Sequence, residues 1–126
     1  MTLNKIHTSG APEPGGHYSQ AVVFNNMVFI SGQVPVVPET GEKLSGSIQD
    51  QTLQVLKNIM AITEAAGSDI SKIIKVTVYI SDIELWGEVN KVYSSFFGTH
   101  KPARAIVPVK DLHHGFKIEM EAIAAI

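Results

Sequence analysis

IQDQTLQVLKNIMAITEAAGSDISKIIKVTVYI, residues 48–80, sets a helix and a strand side by side with one glycine between them. Ile48, Thr52, Leu56, Ile59, Thr63 and Ala66 recur at helical spacing, and Val55, Met60 and Ile62 widen the stripe, so 48–66 is predicted to be an amphipathic helix. Ser47 is placed to cap it, with Asp50 near the positive helix end. Gly67 is a natural stop because it enters the left-handed region without a Cβ penalty. The run IIKVTVYI (73–80) is β-branched and aromatic, the composition of a pleated, packed surface.

Working outward, Ser81 and Glu84 have capping-box spacing and predict a second helix. Its apolar face is read as Ile83, Trp86, Val89, Val92 or Tyr93, and Phe96, extended by Leu85 and Phe97, with Gly98 as the end. Residues 104–109 and 116–125 read as two more strands. Upstream, AVVF (21–24) and MVFIS (27–31) flank Asn25-Asn26, residues that tolerate a tight hairpin turn. Residues 33–46, with Pro35, Pro38 and TGE, read as a loop, as does most of 1–19, with room for a short strand at 4–7. The order ββαβαββ plus that extra strand predicts a single α+β domain over 1–126. It consists of a mostly antiparallel six-stranded sheet with two helices on one face. The other face keeps too much apolar surface for water, which argues for self-association.

The formal charge is −2 and its signs are well mixed, without the basic tract that nucleic-acid binders concentrate on one face. No apolar run reaches the roughly 20 residues of a membrane span, and the start lacks signal-peptide regions, so a cytoplasmic protein is expected. Cysteine does not occur, which removes thiol nucleophiles, thiolate metal sites and disulfides.

Two residues stand out chemically. In the last strand, alternation puts Ile118, Met120 and Ala122 on one face and Glu119, Glu121 and Ile123 on the other. A carboxylate on so apolar a strand needs a partner or a proton. Arg104, in KPARAIVPV, is the matching cation. Its planar fork suits a ligand carboxylate, but it serves equally well as an internal partner for Glu119 or Glu121. The five histidines fit no common zinc spacing, and His113 and His114, if extended, point apart. The helical spacing of Trp86, Tyr93, Phe96 and Phe97 favours core packing.

Several segments together resemble the reactive-intermediate (enamine/imine) deaminase family, RidA/YjgF. They are GGHYSQAV (15–22), SGQVPVVPETGE (31–42), residues 51–83, VNKVYSSFF (89–97), KPARAIVPV (101–109) and KIEMEAIA (117–124), and they span nearly the whole chain. The resemblance implies a chorismate-mutase-like fold and a homotrimer with a central barrel and intersubunit clefts. It also implies cofactor-free, metal-free hydrolysis of small carboxylate-bearing 2-imino or 2-enamino acids to 2-oxo acids and ammonia. By the same resemblance Arg104 holds the substrate carboxylate and Glu119 lies near the attacking water. Tyr18, Ser31, Gly32 and Asn90 line the cleft, and Ile106 contributes its backbone near the carboxylate.

The chain departs from the family pattern at His17, at Ile106 and Pro108 of the arginine strand, and at His113, where the family often has proline. Those changes keep two alternatives open. One is a regulatory trimer that binds a carboxylate metabolite without turning it over. The other is a deaminase of a larger aminated substrate such as 2-aminomuconate. A ribonuclease or translation-inhibitor role, a label some relatives carry, fits the near-neutral charge least.

Overall fold

The computed structural model describes residues 2–126. Six strands, β1 (Asn4–Ile6), β2 (Ala21–Phe24), β3 (Met27–Gln33), β4 (Ile73–Ile80), β5 (Ala103–Pro108) and β6 (Ile118–Ala125), form one sheet in the order β1-β2-β3-β6-β4-β5. Every neighbouring pair is antiparallel except β4 and β5. Parallel neighbours need a crossover, and α2 (Trp86–Phe97) supplies it. The other helix, α1 (Ile48–Ala65), joins the hairpin half of the sheet to β4.

Several local expectations hold. Ser47 adopts an extended conformation and its hydroxyl accepts from the Asp50 amide, capping α1. Asn25 and Asn26 both take positive φ, 51° and 60°, as a two-residue hairpin turn demands. Gly67 and Gly98 leave their helices at φ 88° and 64°.

Others are corrected. The Ser81–Glu84 capping box does not form. The Asp82 side chain accepts from the Glu84 amide instead, opening a single 3-10 turn at Ile83–Leu85, and α2 starts only at Trp86 without a side-chain cap. Asp82 wins because its carboxylate closes a tighter turn two residues on. The 3-10 turn rotates Ile83 and Trp86 outward, so both are about half exposed, while Val89, Tyr93 and Phe97 carry the buried face of α2. His113 and His114 are not on a strand. They form a 3-10 turn, His113–Gly115, in which His114 is left-handed, and β6 begins at Ile118 rather than at 116.

The core lies between the helices and one sheet face. Val55, Leu56, Ile59 and Ile62 of α1 and the three buried residues of α2 pack with Val28, Ile30, Val76, Val78, Ile80, Ile118, Met120, Ala122 and Ala124. The opposite face carries no helix. Phe29 and Val107 are exposed there, on the same side as Glu119 and Glu121. The self-association expected from the sequence concerns this face.

One irregularity shapes the site. Ile30 pairs with Ala122 but Gln33 pairs with Met120, so three steps along β3 match two along β6. This bulge holds Ser31 and Gly32 and brings the backbone of Gly32 directly over Glu119.

Candidate functional site

The residues singled out in the sequence fall into two groups on opposite faces of the sheet. Arg104 pairs with Val76, whose side chain is buried under the helices. Glu119 pairs with Tyr79, three residues along the same strand and therefore on the open face. Alternation along β4 thus excludes an Arg104–Glu119 contact within one chain. Glu121 shares Glu119's face, so it is excluded as a partner of Arg104 for the same reason. The internal ion pair that the sequence left open is not formed.

The first group is built on α2 and β5. Arg104 donates from Nη1 to Asn90 Oδ1 at 2.9 Å, and its guanidinium sits 4.7 Å from the ring centroid of Tyr93. Asn90 and Tyr93 are three residues apart on one helix and so meet the fork together. Tyr93 is buried, and burial pushes its phenol up to about 12 although the Arg104 charge opposes this. Its hydroxyl is buried without a hydrogen-bond partner. A neutral aromatic floor and one amide oxygen therefore hold an exposed guanidinium with most of its donors free. Ile106 packs at the edge of the core two residues on, with its side chain turned to the same face. Tyr93 was read from the sequence as core alone. It is core, and it also seats Arg104, a second role that its spacing from Asn90 reveals.

The second group lines a groove of about 610 Å³ on the other side, containing Tyr18, Ser31, Gly32, His113 and Glu119. Glu119 is half-buried and has no hydrogen-bond donor among the described residues. Desolvation holds its carboxyl above the usual range, opposed by His113 and reinforced by Glu121. A Cβ at Gly32 would lie 2.1 Å from Glu119 Oε2, so only glycine admits the carboxylate where it is. The neighbouring Glu121 is treated differently, since the Tyr79 hydroxyl donates to it at 2.6 Å. Ser31 turns its hydroxyl proton to the Ser19 carbonyl at 2.6 Å and presents lone pairs to the groove. Tyr18 is half exposed and its oxygen accepts from the Gly15 amide. Arg104, Asn90 and Ile106 do not line this groove, and neither does His17.

The groove's walls are loops, and three buried side-chain amides hold them. Gln20 accepts from the Thr8 amide at 2.7 Å and donates to the Thr8 and Pro12 carbonyls. Asn58 donates to the Val34 and Val36 carbonyls at 3.2 and 3.0 Å. Gln51 donates to the Gly46 carbonyl and accepts from the Lys117 amide. None of the three was singled out in the sequence, although Gln51 and Asn58 sit seven residues apart on the apolar stripe of α1, an i, i+7 placement that marks polar side chains turned inward.

Among the described residues no group of three or more His, Cys, Asp or Glu is placed to hold a metal ion, and no helix is long and apolar enough to cross a membrane.

The chain is a two-layer α+β domain with an arginine fork on one face of its sheet and a half-buried carboxylate on the other. Comparison with known proteins makes the class specific. Residues 8–126 match the family described as Endoribonuclease L-PSP. A RutC family protein of Pyrococcus horikoshii is 51% identical over 119 residues, covering 94% of each chain. The 2-iminobutanoate/2-iminopropanoate deaminase of Rattus norvegicus is 41% identical over 119 residues, 94% of this chain and 87% of its own. The crystal structure of E. coli TdcF with bound serine superposes with a TM-score of 0.93 at 43% identity, covering 98% of both chains. The chain belongs to the reactive-intermediate deaminase (RidA/YjgF) family.

Proposed function

We propose that this protein hydrolyses reactive 2-enamino and 2-imino acids to 2-oxo acids and ammonia without a cofactor, a reading supported by its likeness to the rat 2-iminobutanoate/2-iminopropanoate deaminase. Each site combines the Arg104 group of one protomer with the Glu119 groove of the next in a homotrimer. The observation that carries this reading is the division of the two groups between opposite faces of one sheet, each well formed and each incomplete alone. The exposed apolar residues of the helix-free face support its being covered by further copies around a central barrel.

The chemistry asks little of the protein. An imine carbon is already electrophilic, so the tasks are to hold the substrate, place a water and move protons. Arg104 binds the substrate carboxylate through its free donors. Glu119 orients water toward the C=N carbon and takes its proton as the C–O bond forms and the C=N electron pair moves to nitrogen. Glu119 returns that proton to nitrogen and then relays the hydroxyl proton of the resulting carbinolamine to the same nitrogen, so that ammonia leaves with the C–N electron pair as the C=O bond forms. Burial raises the Glu119 carboxyl, which makes its carboxylate a stronger base toward a water proton than a free one. An enamine first accepts a proton at its β-carbon to become the imine.

The test couples a serine/threonine dehydratase to 2-oxo acid detection, with wild type and Arg104→Ala side by side. Faster 2-oxo acid release by wild type alone is the expected result. No acceleration by wild type, or equal acceleration by Arg104→Ala, would overturn the assignment.

A further inference from the structure

The groove carries polar groups that the reaction does not use. Besides Tyr18 and Glu119 it is lined by Lys43 and by both histidines of the 3-10 turn.

The loop that bears Lys43 is fixed in place. Lys43 stands in an isolated β-bridge with Val36, whose carbonyl is fixed by buried Asn58. The stretch after Lys43 is bound to the stretch after the histidines. Gln51, fully buried, ties the Gly46 carbonyl to the Lys117 amide, and Lys117 Nζ reaches the same Gly46 carbonyl at 3.3 Å. Lys43, His113 and His114 therefore stand on two loops locked side by side.

Their polar heads are free. Among the described residues the ion pairs are His7–Glu13 and Lys91–Glu88, so Lys43 has none, and neither His113 nor His114 makes a side-chain hydrogen bond. Two acids line the groove. Glu13 is engaged by His7 at 2.7 Å, and Glu119 belongs to the reaction. An ammonium and two imidazoles without partners are left among the residues that line the groove with Glu119.

We infer that Lys43, with His113 and His114, forms a subsite for a second anionic group, so that the preferred substrates are 2-imino acids with an acidic side chain. This rests on the deaminase reading and adds the substrate class. Arg104 takes the carboxylate beside the imine, and Lys43 takes the distal anion, a carboxylate or a phosphate.

The experiment generates imines in place with amino-acid oxidases from alanine, aspartate, glutamate and O-phosphoserine. It follows their loss against semicarbazide trapping for wild type, Lys43→Met and His113→Asn. The quantity read is the ratio of kcat/KM for an acidic imine to that for the alanine imine. We expect the ratio to favour the acidic imines in wild type and to fall at least about tenfold in Lys43→Met, as loss of a charge-assisted contact implies. It should fall by a smaller factor in His113→Asn. Aspartate and glutamate set against O-phosphoserine decide between carboxylate and phosphate. A ratio unchanged by Lys43→Met overturns the subsite. Should no imine be turned over, the deaminase reading fails by itself, and calorimetric titration with 2-oxobutanoate and 2-oxoglutarate still decides the subsite. Tighter binding of the diacid, lost in Lys43→Met, supports it, and equal binding of both overturns it. Lys43 is exposed, so the variant is expected to keep the wild-type circular dichroism spectrum and melting temperature.

Discussion

Gly32→Ala is the smallest change that separates the placement of Glu119 from its chemistry. The new methyl carbon would stand 2.1 Å from Oε2, 3.2 Å from Cδ and 3.5 Å from Cγ of Glu119. Only the carboxylate end clashes, and the carboxylate must retreat by roughly 1 Å to reach a tolerable contact. The backbone at Gly32 is not left-handed, so alanine fits the chain itself. Turning the flexible end of Glu119 costs about 0.5–1.5 kcal/mol, and folding should therefore survive. A displacement of that size in a reacting group costs about 100-fold in rate. We expect kcat for the coupled imine assay to fall about 100-fold while KM changes little, because Arg104 holds the carboxylate from the other group. Chromatographic size should match wild type. Glu119→Asp, whose shorter side chain withdraws from the methyl, should relieve the stability loss in the double variant, giving a double-mutant cycle that is not additive. A Gly32→Ala protein with undiminished kcat would refute the idea that Glu119 acts from its present position.

Further outcomes follow from the divided site. Arg104→Ala and Glu119→Ala proteins, each inactive, should recover about one quarter of wild-type activity when unfolded together at equal amounts and reassembled, since random closed rings pair one intact half of each kind at a quarter of their interfaces; no recovery would place both groups in one protomer's site. Tyr93→Phe keeps the ring under Arg104 and removes a hydroxyl buried without a partner, so it should match or exceed wild type in stability by about 1 kcal/mol with KM unchanged, whereas Tyr93→Leu should raise KM several-fold; steady-state kinetics and chemical denaturation read both. Glu119→Gln bears on pH. A carboxyl raised in the folded state favours the protonated fold, so its contribution is complete below the ordinary carboxylate range and is lost as pH rises through its own raised pKa. The variant should therefore melt above wild type at pH 7, with the gap closing toward about pH 4. A gap independent of pH would contradict the desolvation of Glu119.

What the sequence disclosed was local. The stripe of α1, its Ser47 cap, the Asn25-Asn26 turn and the alternation that sets Glu119 apart from Met120 each depend on residues within one or two turns of chain. The relation between Arg104 and Glu119 was not legible from those residues. It depends on β6 inserting between β3 and β4 and on the register that sets Val76 beside Arg104 but Tyr79 beside Glu119. Ion-pair and ligand readings of Arg104 thus remained equal until the strands were paired. The start of α2 differs from the expectation because Ser81 and Asp82 are both good caps, and the Asp82 carboxylate closes the tighter turn. The bulge over Glu119 left only a glycine as its trace, and a strand glycine has several uses.

The loops around the groove hang from Gln20, Gln51 and Asn58, all buried and all amides. An amide offers both a donor and an acceptor yet neither gains nor loses a proton across the physiological range. A frame suspended from aspartates or histidines would soften or shift as those groups ionised. These three anchors are silent to acidity. As the pH moves through the range where Glu119 exchanges its proton, the hydrogen bonds they make persist, and acidity reaches the reaction without loosening these tethers.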